Sequence, residues 1–197
     1  MKYVICRRTC RASAVKSCVV LCLIAGALAF GPGETRAQSA ATKEYQLKAV
    51  FLFNFAQFVE WPTNAFPEAQ APLVIGVMGE NPFGTYLDEI VRGEEVNKHP
   101  LTIQHYRRAE EIKTCHILFI SQSEMGRLDQ ILASLKGRNI LTVGDAESFA
   151  QRGGMIRFVT EKNKIRLKIN LETVKAAALT ISSKVLRAAE IVAPGKD

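Results

Sequence analysis

Short apolar runs separated by helical patterns constrain the fold of this chain more than any other feature. Four runs predict strands: "PLVIGVM" (72–78), "LTIQHY" (101–106), "HILFI" (116–120) and "NILTV" (139–143). Helical patterns follow the first, third and fourth runs, at about 81–92, 123–135 and 146–151. Strands that alternate with helices are typical of βαβ units. The sequence therefore predicts an α/β fold in which helices flank a mainly parallel sheet.

The pattern changes towards the C-terminus. The segment "MIRFVTEKNKIRLKIN" (155–170) contains two alternating strands around Glu161-Lys162-Asn163, which predicts an antiparallel β-hairpin. One long helix is then expected from Leu171 to about Val192. Asn170 is placed to cap its first turn, and Glu172 puts a negative charge where the helix dipole favours one.

The first 37 residues are typical of a secretory signal peptide. A basic start without acids precedes an apolar run, and the small-residue pattern Thr35-Arg36-Ala37 follows it. Cleavage is expected after Ala37, which leaves residues 38–197 as one exported α/β domain. The alternative is an uncleaved membrane anchor. The apolar run, 19–30, has only 12 residues, against the ~20 that a membrane-spanning helix needs.

Removal of this segment changes the charge and cysteine content of the protein. The whole chain has a formal charge of +7, but residues 1–37 hold six Lys or Arg and one Glu, so the remaining domain carries only +2. Its charge therefore gives no reason to expect nucleic-acid binding. Four of the five cysteines also leave, and Cys115 alone cannot form an internal disulfide.

The segment "AVFLFNFAQFVEWP" (49–62) contains four phenylalanines and the single tryptophan of the chain. The spacing of its polar residues predicts a helix from about Thr42 to Trp61, ended by Pro62 and apolar on most of its surface. Such a helix is buried or lies against a partner. Phe51, Phe55 and Phe58 share one face of it. They are candidates either for the core or for a dimer or partner surface, where aromatic anchors are favoured.

Signals of catalysis are weak in this sequence. It contains no Walker loop, GxSxG, HExxH or CxxC motif. The three histidines lack the i, i+4 spacing of metal ligands on a helix, and Cys115 and His116 would point to opposite faces of a strand. No residue is therefore assigned to catalysis, to a cofactor or to a metal.

A crevice is one of two possible binding sites. In open parallel sheets, ligands bind beyond the carboxyl ends of the strands, where the strand order reverses. If the first predicted strand neighbours the second and the third, Glu80 and Asn81 would face Ser121 and Gln122 across this crevice. The alternative is an ordinary set of polar loops.

A basic strip on the predicted hairpin is the other possible site. Arg166 and Lys168 fall on the face opposite Ile165 and Leu167, and Arg157 of the preceding strand would join them. This strip could contact an acidic partner. Alternatively, its charges prevent edge-to-edge aggregation of the sheet.

Several segments together resemble the YfiR-like family of exported bacterial proteins. They are "KAVFLFNFAQFVEWP", "LVIGVMGENPFG", "CHILFIS", "ILTVGD…FAQRGGMIRFVTEKNKIRLKIN" and "ISSKVLRAA", which run in order from about Tyr45 to Ala189. The resemblance implies a periplasmic repressor that binds the periplasmic sensor domain of an inner-membrane diguanylate cyclase. An outer-membrane-associated lipoprotein would titrate it away, and members can form homodimers. It also implies a binding protein without catalysis or an obligatory cofactor.

The sequence departs from the family pattern at its cysteines. In the better-studied pattern, the cysteine that matches Cys115 pairs with one at the position of Gly76, and a second pair lies near Asp145 and Gln151. Redox control through these disulfides is therefore not expected here. The alternative function is that of a periplasmic small-molecule binding protein, or of an accessory protein to another membrane receptor.

Export gives the first testable prediction. Protein recovered from the periplasm should begin at Gln38 or within a few residues of it, because the basic and apolar segments that precede it would be cleaved off. N-terminal sequencing measures this directly. Intact Met1 on protein recovered from the membrane fraction would support the uncleaved anchor instead.

Overall fold

The computed structural model describes residues 33–193 and Gly195. Most of the predicted signal peptide, residues 1–32, lies outside this part of the chain, so its cleavage stays a prediction. The chain divides into one unit that ends at Ala40 and a second unit of residues 41–197. None of the helices in the described part is both long and apolar enough to cross a membrane.

The described residues form five helices and ten strands. The first helix begins before residue 41, and all the other elements belong to the second unit. The helices are α1 (Gly33–Phe58), α2 (Tyr86–Val91), α3 (Leu128–Ser134), α4 (Leu171–Ala176) and α5 (Ser183–Leu186). The strands are β1 (Val59–Glu60), β2 (Leu73–Met78), β3 (Glu95–Val96), β4 (His99–Tyr106), β5 (Ile117–Ile120), β6 (Leu141–Gly144), β7 (Ile156–Glu161), β8 (Lys164–Ile169), β9 (Thr180–Ile181) and β10 (Ala189–Ile191). Short 3-10 turns occupy 63–65, 109–111 and 122–127.

Eight of these strands form one sheet in the order β10-β8-β7-β6-β5-β2-β4-β3. The strands from β4 through β2, β5 and β6 to β7 are parallel, and β10 is parallel to β8. β8 runs antiparallel to β7, and β3 runs antiparallel to β4. The expectation of an α/β fold with a mainly parallel sheet is confirmed. β2 lies between β4 and β5, so the strand order reverses at β2.

Two apolar layers cover the sheet, one on each face. On one face, Ile75 and Phe119 pack with Leu52 and Phe55 of α1, and all four are at most 1% exposed. On the other face, Leu118 packs with side chains from α3 and from the turn at 145–151, among them Leu128 and Phe149. Parallel strands buried on both faces carry continuous apolar runs. For this reason the sequence predicts β2 and β5 as strands.

The prediction of one long helix from Leu171 to Val192 is wrong. α4 ends at Ala176, and Ala178 has φ 55°, a conformation that an α-helix cannot contain. The next residues form β9, whose Ile181 pairs with Val59 of β1. Ser182 then caps α5 by accepting a hydrogen bond from the Lys184 amide. The predicted cap of the first segment is confirmed, since the Asn170 side chain accepts from the Thr173 amide at 3.2 Å.

Three other helix predictions need smaller corrections. α1 stops at Phe58 rather than Trp61, because Val59 and Glu60 pair with β9. The helix expected from Asn81 begins only at Tyr86, because the Asn81 side chain bonds the Phe83 amide and the Gly84 carbonyl and so stabilises a turn. Residues 146–151 form turns rather than a helix.

A buried ion pair joins α1 to the carboxyl end of β6. Lys48 Nζ lies 2.6 Å from Asp145 Oδ2, and the two side chains are 3% and 2% exposed. The same oxygen accepts the Tyr45 hydroxyl at 2.9 Å, and Lys48 also contacts Glu44 at 2.7 Å. This ionic cluster positions the residues that follow β6.

Cys115 is buried, as expected from the apolar strand that it precedes. It is 6% exposed, and its burial raises the pKa of the thiol to about 12. A Cβ added to Gly76 would lie 2.9 Å from the Cys115 Sγ atom. Position 76 is therefore next to Cys115, as the family pattern of a cysteine pair implies, but glycine supplies no second thiol.

An aromatic stack holds the loop after β1 against the sheet. The Phe66 ring lies between His99 and His116, with centroid distances of 3.9 and 4.4 Å. His116 Nδ1 accepts from the Val74 amide at 3.0 Å, and Nε2 lies 3.2 Å from the Ala65 carbonyl. The ring is therefore neutral with its proton on Nε2. Burial lowers the pKa of His116, and nearby His99 adds to this effect.

The ion pair gives a stability prediction. Lys48→Met should lower the free energy of unfolding by ~3–5 kcal/mol, because Asp145 would keep a buried charge without its cation. Lys48→Met combined with Asp145→Asn should recover part of this loss, since the amide removes the charge and still accepts from Tyr45. Urea denaturation measures both. A loss below ~1 kcal/mol for the single variant, as for an exposed pair, would show that the pair does not hold α1 in place.

His116 gives a prediction about pH. The unfolded imidazole takes up a proton near pH ~6.5, whereas the folded protein takes it up only at lower pH. The unfolded state therefore binds more protons, so stability should fall as the pH drops below ~6.5, by up to ~1.4 kcal/mol per pH unit. His116→Gln keeps an acceptor and a donor without titrating and should reduce this slope. His105→Gln, at an exposed histidine, is the matched control; equal slopes in both variants would contradict the assignment.

Candidate functional site

The predicted basic residues lie together on one face of the sheet. In the pairing of β7 with β8, Arg157 is opposite Lys168 and Val159 is opposite Arg166. Side chains alternate along a strand, so Arg157, Arg166 and Lys168 point away from the core residue Phe158. Lys162 and Asn163 connect the strands with φ values of 49° and 60°, which suit the twist of a two-residue hairpin turn. We call these three basic residues the hairpin strip.

Carboxylates accompany two residues of the hairpin strip. Arg166 Nε lies 3.1 Å from Glu161, and Lys168 Nζ lies 3.3 Å from Glu190 on β10. Exposed pairs of this kind contribute only ~0–1 kcal/mol each. Arg187 lines the same open groove, which measures about 440 Å³. The groove thus presents three basic and two acidic side chains. An external carboxylate can take the place of an acidic side chain in one of these ion pairs at little cost in free energy.

The aromatic residues of α1 divide between core and surface. Phe55 is 1% exposed and stacks on Phe158 with centroids 6.0 Å apart, so it lies where a partner would not reach it. Phe51 is half-buried against the same two rings. Phe58 is also half-buried, with Lys184 Nζ 5.9 Å from the ring centroid. Part of each of these two side chains, Phe51 and Phe58, therefore stays accessible to a partner. Leu47, one turn before Phe51, is 43% exposed.

Three of the four predicted crevice residues are held by local contacts or buried rather than lining an open cleft together. The Glu80 amide donates to Ser123 Oγ at 3.0 Å. Gly79 has φ 84°, and an added Cβ would lie 2.4 Å from the same oxygen. Asn81 is engaged in its own turn, and Ser121 is 7% exposed. Gln122, one of the four residues predicted there, lines an open crevice one strand further along.

This second crevice lies at the carboxyl ends of β5 and β6, beside β7. It measures about 610 Å³ and is lined by Gln122, Met125, Asp145, Ala146, Glu147 and Arg157. We call it the carboxyl-edge crevice. Arg157 belongs to both this crevice and the hairpin strip, so the two surfaces share a boundary.

Two residues that line the carboxyl-edge crevice each contain a buried polar atom without a partner in the described part of the chain. Asp145 Oδ2 is occupied by Lys48 and Tyr45, whereas Oδ1 is buried without a hydrogen-bond partner among the described residues. Arg157 Nε is likewise buried without a partner in this part of the chain. Buried polar groups are nearly always hydrogen-bonded, so each of these two atoms costs ~1–3 kcal/mol of stability as it stands.

Sequence reasoning missed Lys48 and Asp145 as a pair, because 97 residues separate them. A signal was present in the helix pattern. Lys48 lies next to Ala49 and one turn before Leu52, both fully buried. A lysine on a buried helix face requires a counterion, but the sequence does not show which carboxylate supplies it. In the described residues, no group of three or more His, Cys, Asp or Glu side chains could hold a metal ion.

No curated protein matches the sequence. One similar solved structure is the ABC domain in complex with L-Trp from Streptococcus pneumonia, with a TM-score of 0.45 and 11% identity. The match covers 61% of this chain and 55% of that one, about half its length, and carries no functional argument. The family model described as YfiR/HmsC-like matches residues 45–190. That range runs from α1 into β10, and the chain therefore belongs to the YfiR/HmsC-like family.

Proposed function

We propose that this protein is a periplasmic negative regulator. It binds the periplasmic sensor domain of an inner-membrane diguanylate cyclase and lowers the output of cyclic di-GMP. The observation that carries the proposal is the family match over residues 45–190. The YfiR-like family is periplasmic and regulatory, and it is associated with a membrane diguanylate cyclase. Repression would then result from contact between folded surfaces rather than from chemistry on a substrate.

The hairpin strip supports a contact with an acidic surface. Arg166 is 66% exposed and pairs with a carboxylate that is itself 55% exposed. An acidic partner can replace Glu161 at Arg166, because this pair is already solvated and weak. Lys168, which is 27% exposed, adds positive charge beside it and keeps an exposed partner in Glu190. Complementary charge of this kind sets the rate and specificity of association more than its total affinity.

The surface of α1 supplies the apolar part of the proposed contact. Phe51 and Phe58 are half-buried, and exposed Leu47 lies one turn before Phe51. Aromatic side chains at the centre of an interface often carry most of its binding energy. The same residues are available to a second copy of the chain in a homodimer, or to an outer-membrane-associated lipoprotein that would release the cyclase.

Control by disulfides is not part of this proposal. Gly76 stands next to Cys115, and Asp145 and Gln151 stand where the family pattern has its second pair. Asp145 instead binds Lys48. Any switching of this protein should therefore depend on its binding partners.

The cellular prediction concerns cyclic di-GMP. Deletion of the gene should raise cellular cyclic di-GMP and promote attachment and biofilm, because the cyclase would lose its repressor. Expression of the exported protein should reverse both effects. Expression without residues 1–37, which keeps it in the cytoplasm, should not. Unchanged cyclic di-GMP after deletion, under every growth condition tried, would refute the repressor function.

A second prediction concerns the contact surface. Arg166→Glu with Lys168→Glu should weaken binding to the cyclase sensor domain at least ~10-fold, because like charges across an interface cost several kcal/mol. The change at exposed Arg166 should alter stability by only ~0.5 kcal/mol, and urea denaturation checks that the change at Lys168, which is 27% exposed, leaves the domain folded. Lys113→Glu with Lys136→Glu, two exposed lysines outside the strip, is the matched control. If the first double variant stays folded and binds normally while deletion still raises cyclic di-GMP, the contact lies elsewhere.

A further inference from the structure

An open cavity lies where the end of α1, the loop after β1 and the turn between β3 and β4 come together. It measures about 490 Å³, within the ~300–1,000 Å³ of small-molecule sites. Its apolar floor is formed by Ala56, Val59, Leu73 and Val96, which all belong to the core layer that contains α1. The lining residues of the floor therefore share one face of the sheet. We call this space the loop cavity.

Aromatic side chains form part of the wall of the loop cavity. Trp61, Phe66 and His99 line it, and Trp61 and Phe66 pack against the same core layer as the floor. Both faces of the Phe66 ring are covered, by His99 and by His116. Trp61 is half-buried, so part of its indole stays open to the cavity.

The charge of the loop cavity is negative. Glu60 and Glu68 line it and are exposed, whereas no lysine or arginine is among the lining residues. In the part of the chain that the structure describes, neither carboxylate has an ion-pair partner. Lys98 follows a lining residue in the chain but is exposed and does not line the cavity. These two carboxylates can therefore attract a cation from outside.

The apolar floor decides which kind of cation fits. A primary ammonium group is strongly hydrated and carries three N–H donors that need acceptors, and the four floor side chains offer none. A quaternary ammonium group has no N–H donor, and its methyl groups are apolar. Indole rings attract such cations through their π electrons. An apolar floor, an indole and two unpaired carboxylates together match this chemistry.

We propose that the loop cavity binds a small quaternary ammonium compound such as choline. The methyl groups pack on Val59 and Leu73, and the charged nitrogen lies beside the indole of Trp61. Glu60 and Glu68 compensate the positive charge without forming hydrogen bonds to it. The site is independent of the proposed repressor function and requires no membrane partner.

The test uses Trp61 as its reporter. It is the single tryptophan of the chain, so the fluorescence of the exported protein reports on the loop cavity. Choline should produce a saturable change in this fluorescence. The neutral isostere 3,3-dimethyl-1-butanol, which has carbon in place of the nitrogen, should bind at least ~10-fold more weakly. Putrescine, a primary diamine, should also bind more weakly than choline.

Ionic strength separates the contribution of charge from that of apolar packing. Raising it from ~0.01 to ~1 M shortens the Debye length from ~30 to ~3 Å. The affinity for choline should therefore fall, whereas the affinity for the neutral isostere should not.

Glu60→Gln with Glu68→Gln identifies the carboxylates. The double variant keeps the size of both side chains but removes their charges, so affinity for choline should fall at least ~5-fold. Glu110→Gln, at an exposed glutamate outside the cavity, is the matched control and should leave affinity unchanged. Unaltered circular dichroism shows that each variant is folded.

Four results would overturn the proposal. Choline might give no saturable change, or the neutral isostere might bind equally well, which would leave an apolar cavity without selectivity for charge. Tighter binding of putrescine would assign the cavity to primary amines. An equal loss of affinity in Glu110→Gln would mean that only the net charge of the protein matters. None of these results depends on whether the protein represses a cyclase.

Discussion

The arrangement of α1 over the sheet depends on the buried ion pair between Lys48 and Asp145. It connects α1, which covers one face of the sheet, to the residue that follows β6. Because both side chains are almost fully buried, their charges are screened little by solvent, and each needs the other to remain in the interior. The pair therefore fixes α1 over the sheet and, at the same time, fixes one wall of the carboxyl-edge crevice.

Two neighbouring pairs of strand ends differ in this sheet: one pair is closed and the next is open. The ends of β2 and β5 meet where the strand order reverses, but the bond from the Glu80 amide to Ser123 closes the space between them. The open crevice lies at the next pair of strand ends, β5 and β6. Beyond β7, Arg166 and Lys168 continue the same sheet face as a charged surface. Arg157, which is half-buried, lies between the crevice and this surface.

Positions 76 and 145 are stabilised without disulfides in this chain. At position 76, a cysteine would be adjacent to Cys115, but this chain has glycine there and keeps the thiol buried and protonated. At position 145, the chain has an aspartate that forms an ion pair with α1. Apolar packing thus surrounds the thiol at one site, and a buried charge pair stabilises the other.

Features that depend on neighbouring residues could be predicted from the amino-acid sequence. Apolar runs predicted β2, β4, β5 and β6, alternation placed Arg166 and Lys168 on one face, and Asn170 was recognisable as a helix cap. Features that depend on distant partners appear only once the chain has folded. Residues 180–181 fit a helical pattern locally, but pairing with Val59 and Glu60 makes them a strand. Phe55 became core because Phe158 lies against it. Lys48 pairs with Asp145, which lies 97 residues later in the chain. Local periodicity carries no information about such pairs, because their energy arises only after the chain has folded.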